Sequence, residues 1–296
     1  MTDPKLLNCV GAFLDKANIH NGGYLHEPSG IYLLRHERPS HLEANEYQPL
    51  ICLVLQGAKE VGTNTKRITV RTGQYLIVSH ALPIISRITE ATRLEPYIAL
   101  VFPVDFEILR SFASDLRPTS QQVNPARFSI SLWDESAGMQ DALSRYLQQS
   151  SNKEERRLLA PITKREIHAR LLIGPHADML QKLMWHESSA SRIFQATQEI
   201  QTHLTKMLDV GALAQQVGMS NSAFFEHFKA VTGTTPLQYQ KDLRLLRARD
   251  DLQTTNVRVS EIAFGVGYES SAQFSREYGR KFGRSPREER KAYQIL

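Results

Sequence analysis

The stretch LDVGALAQQVGMSNSAFFEHFKAVTGTTPLQY, residues 208–239, returns in altered form as VSEIAFGVGYESSAQFSREYGRKFGRSPRE, residues 259–288. Ala214, Val217 and Gly218 match Ala263, Val266 and Gly267 at a shift of 49. Beyond the turn, Phe224, Phe228, Gly233 and Pro236 match Phe274, Tyr278, Gly283 and Pro286 at a shift of 50. The second copy therefore carries one extra residue in its turn. Two copies are too few for a solenoid and read as a duplicated supersecondary unit.

Each copy reads as helix, tight turn, helix. Asp209 is placed to cap a short helix whose Leu213, Ala214 and Val217 face inward. Gly218 ends it, because a residue without Cβ takes the left-handed conformation of a sharp turn. Ser220 caps the next helix, with Phe224 and Phe228 on its inner face. In the second copy Ser260 is the expected cap, followed by inward Ile262, Ala263 and Val266, the Gly267 turn, the Ser270 cap, and inward Phe274 and Tyr278. Small Ala214 and Ala263 let the paired helices cross closely. Between the units, PLQYQKDLRLLRARDDL (236–252) reads as one long helix burying Leu243 and Leu246, a rigid connector.

This is helix-turn-helix geometry, in which the second helix enters the major groove. The units are expected at about 209–231 and 260–281. With the aromatics inward, the first outer face carries Asn221, Ser222, Phe225, Glu226 and Lys229. The second carries Ser271, Ala272, Gln273, Arg276 and Arg280. Gln pairs bidentately with adenine and Arg with guanine, which suits Gln273 and Arg276 to base reading. The alternative is two ordinary helical hairpins with polar surfaces, but duplication around one connector favours DNA. Charge agrees with it: residues 190–296 hold 15 Lys and Arg against 11 Asp and Glu, most of the chain's net +5. The densest run, Arg276, Arg280, Lys281, Arg284, Arg287, Arg290 and Lys291, suits a phosphate backbone.

Working outward, residues 1–130 form short β-type runs (IYLLRHE, LICLVLQGA, RITVRTG, GQYLIVS, EPYIALVF) broken by Gly, Pro and Asn. Gly57, Gly62-Thr63-Asn64 and Gly73 stand where hairpin turns belong. That spacing suggests a sandwich or barrel rather than βαβ units. From about Leu132 the period turns helical, with a break at Gly174-Pro175. Residues 131–190 read as a helical linker and dimerisation region, and the Ser-rich HESSAS (186–191) as the boundary before a DNA-binding domain at 191–296. The fold class is thus α+β: a β-barrel or sandwich with flanking helices, then an all-α domain. No window approaches a membrane span, the start MTDPKLLNCV lacks a secretory layout, and the only cysteines, Cys9 and Cys52, indicate neither disulfide nor zinc site. A cytoplasmic protein is the expectation.

Residues 193–291 resemble the DNA-binding domain of the AraC/XylS family of regulators, on LAQQVGMSNSAFFEHFKAVTGTTPLQYQKDLRLLRAR and VSEIAFGVGYESSAQFSREYGRKFGRSPRE. The resemblance implies a seven-helix module that enters successive major grooves on one face of the duplex. It places Ser222, Phe225 and Glu226 of the first unit, and Ala272, Gln273 and Arg276 of the second, in the grooves. Glu226 departs from the Arg, His or Gln of many members; a carboxylate only accepts, for example from cytosine N4. PLICLVLQGAKE, GQYLIVSHALPI and ITEATRLEPYIALVFPVD resemble the companion domain of a subset of these regulators, implying a cupin-like barrel that senses a small molecule.

Barrels of this size enclose one ligand, and Gln56, Lys59, Tyr75, Ser79 and His80 are polar residues in apolar surroundings that qualify as ligand contacts. The plainer reading puts them on the solvent face or in turns. His36, Glu37 and His41 approach a cupin metal set, but their spacing is wrong for neighbouring same-face positions, so no metal is expected. No nucleophile–base pair or phosphate loop appears, and no cofactor is expected. The chain reads as a regulator and not an enzyme. Its rivals are a cupin enzyme with a DNA-binding tail and a nucleoid-associated architectural protein. Cys52 reads as a small buried apolar residue and Cys9 as nearer the surface; a redox signal joins a small molecule as a candidate input. Expected partners are double-stranded operator or promoter DNA, an unidentified small-molecule effector, RNA polymerase, and a second copy in a homodimer, with no membrane.

Overall fold

A computed structural model of the chain describes residues 4–62, 67–116, 130–134, 136–174, 177–184 and 188–294. Thr63, Asn64, Pro175 and residues 186–187, on which a turn, a helix break and a boundary were expected, lie outside them. The chain opens with α1 (Pro4–Lys16), then β1 (Gly22–His26), β2 (Ile31–His36), β3 (Glu43–Tyr47), β4 (Leu50–Gln56), β5 (Ala58–Gly62), β6 (Arg67–Arg71), β7 (Gln74–Val78), β8 (Leu82–Glu90) and β9 (Tyr97–Pro103). The short α2 (Phe106–Arg110) precedes β10 (Ile130–Asp134). One antiparallel sheet runs β1-β2-β9-β4-β7-β10 and a second β3-β8-β5-β6. The two sheets face each other without closing, so of barrel or sandwich the observed form is a sandwich.

Strand β4 shows why. Alternate side chains of a strand point to opposite faces, and LICLVLQ is apolar on both. Ile51, Leu53 and Leu55 join Leu33, Ile77, Leu100 and Phe102 in a core shared with helices. Cys52 and Val54 face the second sheet through Val61, Val70, Leu82 and Ile84. The covering helices are α1 with α3 (Ala137–Ser151), α5 (Ala160–Ile173) and α6 (Ala177–Met184), while α4 (Lys153–Leu158) buries no residue and links α3 to α5. Leu6, Val10, Leu143, Leu147, Ile167 and Leu171 fill that layer.

The all-α part follows as α7 (Ser189–Thr202), α8 (Val210–Gln216), α9 (Asn221–Thr232), α10 (Pro236–Thr254), α11 (Val259–Gly265), α12 (Ser271–Phe282) and α13 (Pro286–Gln294). Helix α10 has no single apolar stripe because it serves two cores. Tyr239 and Leu243 pack with Leu213, Phe224 and Phe228, while Leu245, Ala248 and Leu252 pack with Ile262, Phe274 and Tyr278. Helix α7 joins the halves: Ala190 and Phe194 pack on the N-terminal helices, and Ile193, Ala196 and Ile200 on the first helix-turn-helix core.

Two buried polar contacts fix that junction. The Tyr239 hydroxyl donates to the Ala81 carbonyl at 2.7 Å, and His80 Nε2 lies 3.1 Å from the Ala190 carbonyl. A carbonyl only accepts, so Nε2 carries the proton and Nδ1 accepts from the Ser79 hydroxyl at 2.8 Å. Desolvation pushes the His80 imidazole down from 6.5 to about 4, outweighing its bond to Ala190. A histidine held neutral when folded stabilises fully above its unfolded pKa and loses that contribution as pH falls toward the folded one. From pH 6.5 to 4 the loss is expected to reach about 3 kcal/mol. Urea unfolding across that window should show a flatter pH dependence for His80→Gln than for the parent; equal slopes would acquit His80.

Candidate DNA-binding interface

Both helix-turn-helix units are built by local side-chain chemistry. Asp209 accepts from the Ala212 amide at 3.0 Å and starts α8. Ser220 and Ser270 accept from the Ala223 and Gln273 amides at 3.4 and 3.3 Å, and start α9 and α12. Each satisfies one of the unpaired donors at a helix start. Gly218 and Gly267 sit at φ +67° and +91°, and the amides of Met219 and Tyr268 return to the Ala214 and Ala263 carbonyls at 2.9 and 3.0 Å. The turns match despite the extra residue in the second. Ser260 is not the cap of α11: the helix starts at Val259 after Arg258, which makes no side-chain cap bond. Ser260 therefore lies within the first turn, past the position where its hydroxyl could meet the helix's unpaired amides.

The aromatic stripes settle which way each helix faces. Phe224 and Phe228 are fully buried, their rings 5.5 Å apart, with Tyr239 5.4 Å beyond. Phe274 and Tyr278 repeat the arrangement at 5.5 Å. On the opposite faces Asn221, Ser222, Phe225, Glu226 and Lys229 are exposed, as are Ala272, Gln273, Arg276 and Arg280, with Ser271 half-buried. Phe225 is 42% exposed, which is unusual for an aromatic ring without an apolar partner surface.

The basic run divides. Lys281 is paired with Asp242 at 2.6 Å and Arg284 with the fully buried Glu289 at 2.7 Å, so both hold helices together. Arg276 and Arg280 make no ion pair among the described residues and keep their charge on the exposed face of α12.

A network behind Gln273 escaped the sequence reading. Glu277 accepts from Tyr268 at 2.9 Å, from Lys241 at 3.1 Å and from the Gln273 amide nitrogen at 3.2 Å. Burial pushes the Glu277 carboxyl up, but these bonds outweigh it and hold the pKa below the usual range. The carboxylate thus fixes the Gln273 amide and leaves its carbonyl oxygen and second N–H available to a base edge. Tyr268 stands in the enlarged turn. Arg244 was also missed: it donates to the carbonyls of Leu204, Lys206 and Gly267 at 2.7, 2.8 and 2.9 Å. One side chain of the connector thereby ties the loop before the first unit to the turn of the second.

In the N-terminal domain a cavity of about 430 Å³ lies between the sheets. Of the five ligand candidates, Lys59 is among its lining residues. Tyr75 belongs to the helix-side core, Gln56 bonds the Pro96 carbonyl at 2.8 Å, and Ser79 with His80 stand at the domain junction. Cys52, Tyr47, Tyr97 and His36 line the cavity instead. Glu37 is paired with His20 at 3.2 Å, and His41 is exposed beyond β2. Among the described residues no three His, Cys, Asp or Glu side chains stand close enough to hold a metal. Burial pushes the Cys9 thiol up, against a weaker opposing bond from Gln148.

Residues 28–179 match the family described as the AraC-type transcriptional regulator N-terminus, and residues 213–292 match a helix-turn-helix domain family. The chain belongs to the AraC-type transcriptional regulators. It is 30% identical over 141 residues to the HTH-type transcriptional activator RhaS of Escherichia coli O1:K1 / APEC, covering 48% of this chain and 50% of that one. The regulator thus spans about half the length of that curated relative. Apo ToxT of Vibrio cholerae strain SCE256, as an alanine variant, superposes with a TM-score of 0.56 at 9% identity, covering 91% of this chain and 98% of that one. Unsaturated fatty acid bound wild-type ToxT gives 0.51 at 11% identity over 87% and 92%. At such identities the likeness is one of fold, and it extends over both domains of this AraC-type regulator. No helix among its described residues is long and apolar enough to cross a membrane.

Proposed function

We propose that this AraC-type regulator binds operator DNA in a sequence-specific manner, with α9 and α12 in successive major grooves and a small molecule between the sheets modulating the binding. The duplicated helix-turn-helix unit, with a left-handed glycine in each turn and a serine cap on each second helix, carries the reading. Its two turns, the second one residue longer, flank one connector helix and present Ser222, Phe225 and Glu226, and Ala272, Gln273 and Arg276, outward. Sheet-side control is supported by where the cavity lies. Strand β3 lines it through Glu43, Asn45 and Tyr47 and also meets the DNA-binding half. There Glu46 accepts from Gln201, and the Ala44 carbonyl from Arg249 at 3.5 Å. ToxT, of like fold, is known with an unsaturated fatty acid bound.

RNA polymerase and a second copy are the remaining proposed partners. Leu158, Leu159 and Ile162, at 60%, 44% and 65% exposure around the α4–α5 junction, support self-association in the 131–190 region. The reading includes no enzymatic step.

Fluorescence anisotropy of the full chain on promoter and random duplexes tests the proposal. Arg276→Ala is expected to cost about 1–3 kcal/mol on the promoter and to relax preference at one base pair. Arg280→Ala, contacting phosphate, should weaken all duplexes alike and flatten the salt slope by about one unit. Equal affinity of the parent for promoter and random DNA would favour an architectural protein.

A further inference from the structure

The inner end of the sheet-lined cavity holds an ammonium group without a counterion. Lys59 is 4% exposed and donates to Cys52 Sγ at 3.0 Å and to the Tyr47 hydroxyl at 3.4 Å. An ammonium has three N–H donors, so one is left over. The acid next to it in sequence, Glu60, is taken by Arg87 and Arg67 at 2.6 and 3.4 Å. Beside Lys59 stands the Tyr97 hydroxyl, in a residue 1% exposed, with no nitrogen or oxygen partner among the described residues. A buried charge without a carboxylate partner, beside a buried hydroxyl without a nitrogen or oxygen partner, is costly, and such groups are retained where a ligand completes them.

The rest of the lining is mixed: Leu34, Leu50 and Val101 from the first sheet and Ile88 from the second are apolar, while His36, Ser40, Asn45, Ser86 and Arg87 are polar. Glu43 and Glu46 also border the cavity but are exposed on β3, which makes that strand its mouth. The volume of about 430 Å³ falls within the ordinary range for small-molecule sites. An occupant that completes the site therefore offers an anionic acceptor at one end and an apolar body to lie along Leu34, Leu50 and Val101. A neutral sugar would leave the ammonium uncompensated.

We infer that the effector is a small apolar monocarboxylate, its carboxylate accepting from Lys59, Tyr47 and Tyr97 and its hydrocarbon body lying along Leu34, Leu50 and Val101. The inference deepens the reading of this cavity as the effector site and rests on it. Charge-assisted hydrogen bonds from Lys59 and two phenols would fix the head group, while the tail points toward β3 and the DNA-binding half.

Isothermal titration calorimetry of the full chain with octanoate and with octanamide, its uncharged counterpart, tests this. Octanoate should bind at least about tenfold more tightly, since only it completes the ammonium. Lys59→Met should lose that preference, and Tyr97→Phe, a milder change, should weaken octanoate severalfold and leave octanamide unaffected. Equal binding of the two probes to the parent chain would overturn the inference, as would absence of octanoate binding, or octanoate affinity unchanged in Tyr97→Phe. Promoter anisotropy on the same samples separates the two readings. Intact promoter binding without octanoate binding removes the ligand assignment alone, whereas octanoate binding without promoter binding removes the DNA reading alone.

Discussion

Gly267→Ala is expected to cost at least about 3 kcal/mol of stability and most of the DNA affinity. Two independent penalties meet at this position. The backbone sits at φ +91°, where an L side chain is strained by about 1–2 kcal/mol. The added Cβ would also lie 2.6 Å from the Thr205 carbonyl oxygen and 2.8 Å from its Cα, both backbone atoms that cannot rotate away. Thr205 belongs to the loop that Arg244 clamps against the Gly267 carbonyl, so relieving the clash means separating the two reading heads. Two other glycines serve as controls. Gly218 has φ +67°, but its Cβ would meet nothing closer than the Arg192 guanidinium at 3.4 Å. Gly283 has φ +74° and open space. Alanine at either should cost only the conformational strain, about 1–2 kcal/mol. Urea unfolding of the three variants measures the difference; a Gly267→Ala cost no larger than that of Gly283→Ala would remove the backbone clash from the account.

Glu289→Ala should cost about 3–5 kcal/mol, the usual result of removing one member of a buried ion pair. The carboxylate is fully buried and accepts from Arg249 at 3.1 Å and Gln253 at 2.9 Å, with Arg284 at 2.7 Å. Arg249 is itself only 12% exposed and lies 5.0 Å from the centre of the Phe282 ring. Without Glu289 its charge keeps no anionic partner and only the Ala44 carbonyl at 3.5 Å, and α13 loses its anchor on α10. The penalty comes from the stranded charge more than from the lost attraction. Arg249→Met combined with Glu289→Leu should therefore recover much of the loss. Thermal unfolding of the single and double variants decides: a double variant as unstable as Glu289→Ala alone would mean that packing, not charge, holds α13.

How far the sequence reached depended on the distance between the residues that matter. The helix-turn-helix units were legible because their determinants are local: a cap residue, a small residue, a glycine and two aromatics fall in one short stretch, from Asp209 to Phe228 in the first copy. Asp209, Ser220 and Ser270 cap as expected. Ser260 does not, since a favoured cap residue two positions past the cap looks the same in sequence as one at the cap itself. Pairing across elements was not legible. Arg284 and Lys281 look like phosphate ligands until α10 and α13 bring Asp242 and Glu289 to them. The cavity was hidden for the same reason. Cys52 on β4 and Lys59 on β5 belong to different sheets, and strand alternation orders faces only within one strand. The same rule cannot place Tyr75 toward the helices or His80 at the domain junction.

Guanine N7 methylation protection on a promoter duplex bound to the full chain tests whether α9 and α12 read successive major grooves. Two protected patches are expected on one face of the duplex, about 10 bp apart, one helical turn. Arg276→Ala is expected to erase one patch and spare the other. A single patch, or two that weaken together in Arg276→Ala, would contradict that reading.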